Sequence, residues 1–500
     1  MKKYNLKTFI FTVLASTVIY SSCDKSQLDL LPHGPTEANF FSEESEFNKA
    51  VLGVYAKMTD FYGFNANNPQ VGFFFLPGDD ITTNASNDES EVFSSLQPSS
   101  GRVSFMYQKF YQQINRANTL LEKIETVKEG IYTTPNLKNY HKGEALFLRG
   151  FANYYLWNYY GTAPLVTKRP IATTDFTPGN SAGNQLLDQA IQDFTDAATL
   201  LPASWDAANK GRVTANAANG MLGKALVFRG SATKSTADFT AAVAALNKVT
   251  GLSLTTDFND NFSYAKENNS ESLFEFQAAK ASGGNNYWLD NDFDNTIGDL
   301  SIYWGFYSNH WSLFGKSRYF ATTKLAAALD DADPRKAATL NASDRTVKKY
   351  AAQDNPNEGD PGSRDNYRIL RLADVKLLQA ESILQSGGST AQAIGLINEI
   401  RTRARNMVPG GTIPADYLTT ETDKAKILNW IINERFIELA GEGQRWLDLR
   451  RWHMQGVITL NNSYFSSNVG VVFDPAKNLV VPIPTSELDV NSNVKQNPGY

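Results

Sequence analysis

The chain predicts a mainly α protein: a tetratricopeptide-like helix-pair scaffold with a loop-rich lobe containing a few short strands. Apolar residues recur at spacings of three and four through several long stretches, which places them on one face of a helix. Between those stretches the periodicity fades, and Asn, Asp, Ser, Gly and aromatic residues take over. The length, 500 residues, suits two lobes or one large elaborated domain.

Lys2, Lys3 and Lys7 precede a short, mostly apolar stretch from Phe9 to Tyr20. Ser21 and Ser22 then lead into Cys23, the single cysteine of the chain. The stretch is too short for a comfortable transmembrane helix and reads as a secretory signal. A cysteine directly after small residues is the lipid-acceptor position of a bacterial lipoprotein signal. Residues 1–22 are therefore expected to be removed and Cys23 to carry the acyl chains. Tyr20 departs from the Leu that such signals usually carry. Residues 23–36, with Pro32, Gly34 and Pro35, read as the lipidated tether.

An N-terminal helical scaffold is expected over 37–251, interrupted by a polar loop at 60–103. Phe110, Ile114, Ala117, Leu121 and Ile124 make its clearest stripe. Ala145, Leu148, Ala152, Tyr155 and Tyr159 make the next, stopped by Gly161 and Pro164. Leu187, Ile191, Phe194, Ala198 and Leu201 follow, ended by Pro202. Leu222, Ala225 and Phe228, then Phe239, Val243, Leu246 and Val249, form a pair. Residues 252–365 are expected to form the loop-rich aromatic ligand-binding lobe, with a strand at 273–277. Helices are expected again within 366–500. One carries Leu370, Ala373, Leu377, Ala380 and Leu384, and the next Ala393, Ile397, Ile400 and Ala404. A last one carries Leu428, Ile432, Phe436 and Leu439, and a strand is expected at 479–483. Short turns between helices favour stacked antiparallel hairpins, although no strict 34-residue sequence period is present.

Composition narrows the function. A net charge of −5 supplies no basic field for a phosphate backbone, so no nucleic acid partner is expected. One cysteine excludes an internal disulfide and a Cys-rich zinc site. His33, His141, His310 and His453 lack ligand spacing, so no metal and no cofactor is expected. Asp290, Asp292 and Asp294 mimic the start of a calcium loop, but Asn295 replaces the required Gly and Ser301 the closing Glu. No P-loop, G-x-S-x-G or H-E-x-x-H motif occurs.

Five segments in order resemble the SusD/RagB family of Bacteroidetes surface lipoproteins. They are Lys142 to Trp157 with Gly161 and Pro164; Asp333-Pro334-Arg335; Leu370 to Glu381; Asn433 to Trp452; and Pro482-Ile483-Pro484 to Tyr500. Small departures are Ala440-Gly441, where the family favours a bulkier pair, and Gln444, where His is common. The resemblance implies the tetratricopeptide-like scaffold, an outer-membrane location facing the cell exterior, and a partner, a SusC-like TonB-dependent transporter. It also implies a role as the lid that captures ligand over that transporter; the ligand is expected to be oligosaccharide, and no enzymatic activity is expected.

The conspicuous charged run, Glu434, Glu438, Glu442, Arg445, Asp448, Arg450 and Arg451, could be taken for a glycosidase acid–base pair. Near-equal numbers of acids and bases beside Trp446 and Trp452 instead predict a structural ion-pair network with no carboxylate of raised pKa.

Ligand is expected at residues 287–320, which mix eleven aromatic residues with Asn and Asp. Pyranoses present apolar C–H faces and polar hydroxyls, so their sites need flat rings beside short amides and carboxylates. Tyr287, Trp288, Trp304, Tyr307 and Trp311 are the expected contacts. A second polar segment, Gly78 to Asn84, resembles a family segment near the ligand face. Asn84, Asn87 and Arg102 are candidate hydrogen-bonding partners there. The alternative for that segment is a capped turn in which Asp79 and Asp80 bond backbone N–H groups. Peptide binding and, more remotely, surface glycoside hydrolysis are the rival functions.

Overall fold

The computed structural model describes residues 40–62, 71–83, 88–93, 95–278, 319–350, 365–466, 468 and 470–500. Cys23, Asn84, Asn87, Tyr287, Trp288, Trp304, Tyr307 and Trp311 lie outside the described residues.

The structure is mostly helical. The principal helices are α1 (Glu44–Ala56), α2 (Gly101–Glu125), α3 (Leu137–Tyr160), α4 (Gln185–Leu200), α5 (Ala215–Thr233) and α6 (Thr236–Leu246). After the intervening lobe come α7 (Leu372–Gln385), α8 (Thr390–Arg405), α9 (Lys424–Glu438) and α10 (Arg445–Gln455). Local chemistry sets their ends. The Ser100 hydroxyl accepts from Val103 N at 3.3 Å and caps α2. Gly161 ends α3 at φ 67°, a conformation that costs residues with a Cβ.

The helices pack in sequence: α2 on α3, α3 on α4, α4 on α5, and α5 on α6. Neighbours run antiparallel. Gly143 in α3 meets Leu200 and Leu201, whereas Gly150, two turns later, meets Asp193 and Phe194. Likewise Gly223 meets Leu246 while Gly230 meets Asp238 and Phe239. Glycine permits these close approaches because a side chain would meet the facing helix. From α6 the stack passes directly to α7 and on to α8 and α9. The scaffold thus continues across the more than one hundred residues that separate α6 from α7. One core cluster, from Phe47 to Val494, fills the interior of the first helices. A second lies between α7, α8 and α9, around Ala373, Ile397 and Ile431.

Strands are few and short. β1 (Ile81–Thr83) pairs antiparallel with β3 (Tyr319–Ala321), and β2 (Ser272–Phe276) with β4 (Tyr367–Arg371). The second pair has an irregular register.

Several expectations need correction. Leu370 belongs to β4, not to a helix, because α7 starts only at Leu372. The strand expected at 479–483 does not form. Pro482 and Pro484 lack donors, and the segment is held instead by single bonds such as Val481 N to Tyr159 O at 2.7 Å. The helix at 424–438 is not the last, since α10 follows, and it buries Ile431 rather than Ile432. The polar loop at 60–103 contains short helices, including Val71–Phe75 and Glu89–Val92.

Candidate functional site

The apolar run Phe73 to Leu76 is fully buried and anchors the polar segment that follows it. The Phe73 ring lies 4.4 Å from that of Tyr159 in α3. Gly78, Asp79 and Asp80 then lead into β1. Thr83 pairs with Tyr319 and Ile81 with Ala321. The two candidate ligand segments are therefore joined in one small sheet. Because the pairing is antiparallel, Thr83, the last residue of β1, lies opposite Tyr319, the first of β3.

Polar contacts fix this sheet. Thr322 Oγ1 donates to Asp79 O at 2.7 Å, and Thr322 N donates to Asp80 O at 2.9 Å. The Asp79 carboxylate, fully buried, pairs with Arg445 and Lys324. Burial acts to raise its pKa, but those two cations outweigh burial and hold it below the usual range. Asp80 accepts from Gly441 N at 2.9 Å. Burial, reinforced by Asp79, pushes its carboxyl up to about 6. Glu91 accepts from Thr83 N at 3.0 Å and from the Thr82 hydroxyl, and burial pushes it up to about 6 as well. Of the capped-turn alternative, Asp80 does bond a backbone N–H, but that of Gly441 in a distant segment, whereas Asp79 is an ion-pair partner.

Arg102, at the start of α2, donates to Asp88 Oδ1 at 2.9 Å and to Ser90 Oγ at 2.7 Å. Its guanidinium is thus oriented by Asp88 and Ser90, residues that follow the Asn84–Asn87 segment in the chain. Of the aromatic run, Tyr319 is 4% exposed and belongs to the core, whereas Phe320 is half-buried.

The charged run is an ion-pair network. Arg335 donates to Glu434 at 2.6 Å and Glu438 at 2.9 Å, and to Asp333 at 2.8 Å. Arg371 reaches Glu271 and Glu438, each at 2.7 Å, and Glu442 at 2.8 Å. Arg403 also bonds Glu438 and Glu271, while Lys349 bonds Glu442 at 2.7 Å. Beside this cluster, Arg435 joins Asp374 and Asp448, each at 2.7 Å, and Arg451 joins Asp448 and Glu381. Although burial acts to raise them, the surrounding arginines hold Glu438 and Asp448 below the usual carboxylate range. None of these acids is placed for proton transfer at an open surface.

Arg450 departs from the expected network. It is buried, donates to Leu479 O at 2.9 Å and lies 4.4 Å over the Trp157 ring. Burial pushes its pKa down to about 10. The sequence alone did not reveal that Arg335, Lys349, Arg371 and Arg403 supply the partners. Their segments are far apart in the chain, so spacing carries no signal of their meeting.

Among the described residues, no group of three His, Cys, Asp or Glu is placed to hold a metal ion. No described helix is long and apolar enough to cross a membrane.

Residues 229–500 match the model of the SusD family, and residues 34–226 match a model described as starch-binding, associating with the outer membrane. A SusD-like protein of Formosa agariphila is 24% identical, over 90% of this chain and 92% of its own. A SusD-like protein of Bacteroides ovatus is 23% identical, over 89% and 83% respectively. Among solved structures, a SusD homologue from Bacteroides thetaiotaomicron shares the fold at a TM-score of 0.76 and 21% identity, covering 93% of this chain and 99% of its own. A structure described as a laminarin-binding SusD-like protein gives 0.72 and 23% identity, covering 92% and 100%.

Proposed function

This chain belongs to the SusD family, and from that premise we propose that it is a lipid-anchored outer-membrane protein that captures oligosaccharide at the cell surface and hands it to a TonB-dependent transporter. The β1–β3 pairing carries the reading. It sets Thr83, the residue before Asn84, opposite Tyr319, within the aromatic run, so both candidate segments are attached to one small sheet, which supports a shared site. Saccharide recognition needs rings for the C–H faces, and amides for the hydroxyls. The expected contacts are Trp288, Trp304, Tyr307, Trp311 and Tyr287, with Asn84 beside them. Arg102, paired with Asp88 just after the Asn84 segment, is a further candidate contact. The description of a fold neighbour as laminarin-binding supports a neutral glucan as the first ligand to try.

The buried, paired state of Glu434, Glu438, Glu442 and Asp448 favours binding over hydrolysis. Cys23 is the proposed lipid attachment, leaving the protein tethered by residues 23–36.

Calorimetry of the mature protein against laminarin, starch and xylan oligosaccharides tests the site. The Trp288→Ala/Trp304→Ala/Trp311→Ala variant is expected to lose binding by at least about tenfold, with an unchanged thermal melt. Wild-type affinity in that variant sinks the aromatic patch.

A further inference from the structure

One face of α2 carries Ser104, Tyr107, Gln108, Tyr111, Gln112 and Asn115. Their spacing aligns them along the helix, and none is charged. A solvated helix face ordinarily carries charged side chains. These six residues, with Ser486 and Glu487, line a groove of about 510 Å³. An adjoining hollow of about 360 Å³ shares Tyr107, Tyr111, Asn115 and Glu487 and is bounded by Phe176. The Tyr107 and Tyr111 rings lie 4.7 Å apart, and Phe176 is 62% exposed. Gln108 and Asn115 are also exposed.

The charges at the rim are held by the protein. Asp175 accepts from Ile171 N at 3.0 Å and Ala172 N at 2.9 Å. Glu487 accepts from Asn491 Nδ2 at 3.0 Å. Arg169 faces Glu122 at 3.8 Å. Those bonds orient Asp175 and Glu487 without cancelling their charge, so the lining offers rings and amides with a rim of two carboxylates and one guanidinium, a balance that disfavours an acidic saccharide rather than a neutral one. Arg102 and Asp88 line neither hollow.

We propose that this groove is a second saccharide-binding subsite, taking an uncharged pyranose chain. Phe176 and Tyr111 offer apolar surface to ring C–H faces, and Gln108 and Asn115 bond equatorial hydroxyls. The assignment rests on the saccharide-capture reading above and extends it. A long polysaccharide would engage this groove and the aromatic loops together, so that retention rises by avidity, whereas a short oligosaccharide would occupy one site at a time.

Affinity electrophoresis of the mature protein through gels containing laminarin, starch, mannan or xylan tests the assignment. Phe176→Ala/Gln108→Ala removes one exposed side chain from the adjoining hollow and one from the groove, and the triple Trp288/Trp304/Trp311 alanine variant removes the tryptophans of the aromatic run. The groove pair is expected to reduce retention by at least about fivefold in a gel that retards wild type, with an unchanged melt. Loss in the triple variant alone overturns the groove and leaves the loop site standing. Loss in the groove pair alone supports the groove and removes the loop rings. If the groove pair is retarded normally but no longer co-purifies with an outer-membrane barrel, the groove docks protein and the saccharide assignment fails. A wild-type protein retarded by none of the four gels overturns both sites.

Discussion

Asp80 is fully buried, and only one of its carboxylate oxygens has a hydrogen-bond partner. Its pKa rises from 3.8 to about 6 on folding. The native state therefore binds more protons than the unfolded chain between those values. Stability falls as pH rises through that window and is flat above it. Glu91, raised from 4.5 to about 6, adds to the same slope. Carboxylates held low by arginines, such as Asp79, act in the opposite direction, and only at lower pH. His141, pushed down to about 4 by burial, opposes this slope over part of the same window, so the Asp80 contribution is read as the difference between wild type and Asp80→Asn, which is expected to narrow between pH 7 and 5. Asp80→Asn keeps an acceptor for Gly441 N, removes the buried charge, and is expected to stabilise at pH 7 by on the order of 1 kcal/mol. Urea denaturation at pH 5, 6 and 7 checks this. An unchanged pH slope in the variant would show that Asp80 is ionised without penalty.

The contact between α5 and α6 depends on Gly223, where any β-carbon would overlap the Leu246 side chain. Gly223→Val is expected to force the helices apart and destabilise by about 1–3 kcal/mol. Gly395, whose β-carbon would meet nothing within 4 Å, is the control position. If Gly223→Val and Gly395→Val cost the same in a denaturant titration, helix propensity rather than the close approach sets the effect. The long helices were legible because apolar stripes such as Phe110, Ile114 and Ala117 report the buried face directly. β4 was not, because Leu370 stands at helical spacing from Ala373 and Leu377 although it is the last apolar strand residue before Arg371. Its partner β2 was found from its own composition, but pairing across nearly one hundred residues leaves no local trace. The same limit applies to the site. Both candidate loops stood out by composition, whereas their joining through β1 and β3, and the tie from Asp79 to Arg445, exist only in three dimensions.

The two family-model matches end at 226 and begin again at 229, inside α5, which is one continuous helix. That boundary does not divide the structure. α5 packs on α4, α6, α7 and α10, and so belongs to both parts. The ion-pair cluster binds the later segments in the same way. Among the described residues, Arg335, Lys349, Arg371, Arg401 and Arg403 meet Glu271, Asp333, Glu434, Glu438 and Glu442, five cations against five carboxylates. These residues come from both sides of β2, β3 and β4, and the Phe258 ring covers Lys349 at 4.8 Å and Arg403 at 5.1 Å. Such burial is costly for each ion and is offset only while every partner is present. Arg371 touches three carboxylates, so Arg371→Ala leaves Glu271, Glu438 and Glu442 short of a cation in a site closed to water. The expected loss is about 3–5 kcal/mol, taken from one cooperative transition followed by both circular dichroism and tryptophan fluorescence. If the loss is below about 1 kcal/mol, or the two probes separate into an early and a late transition, the cluster is local and the segments around β2, β3 and β4 unfold independently of the helices that support them.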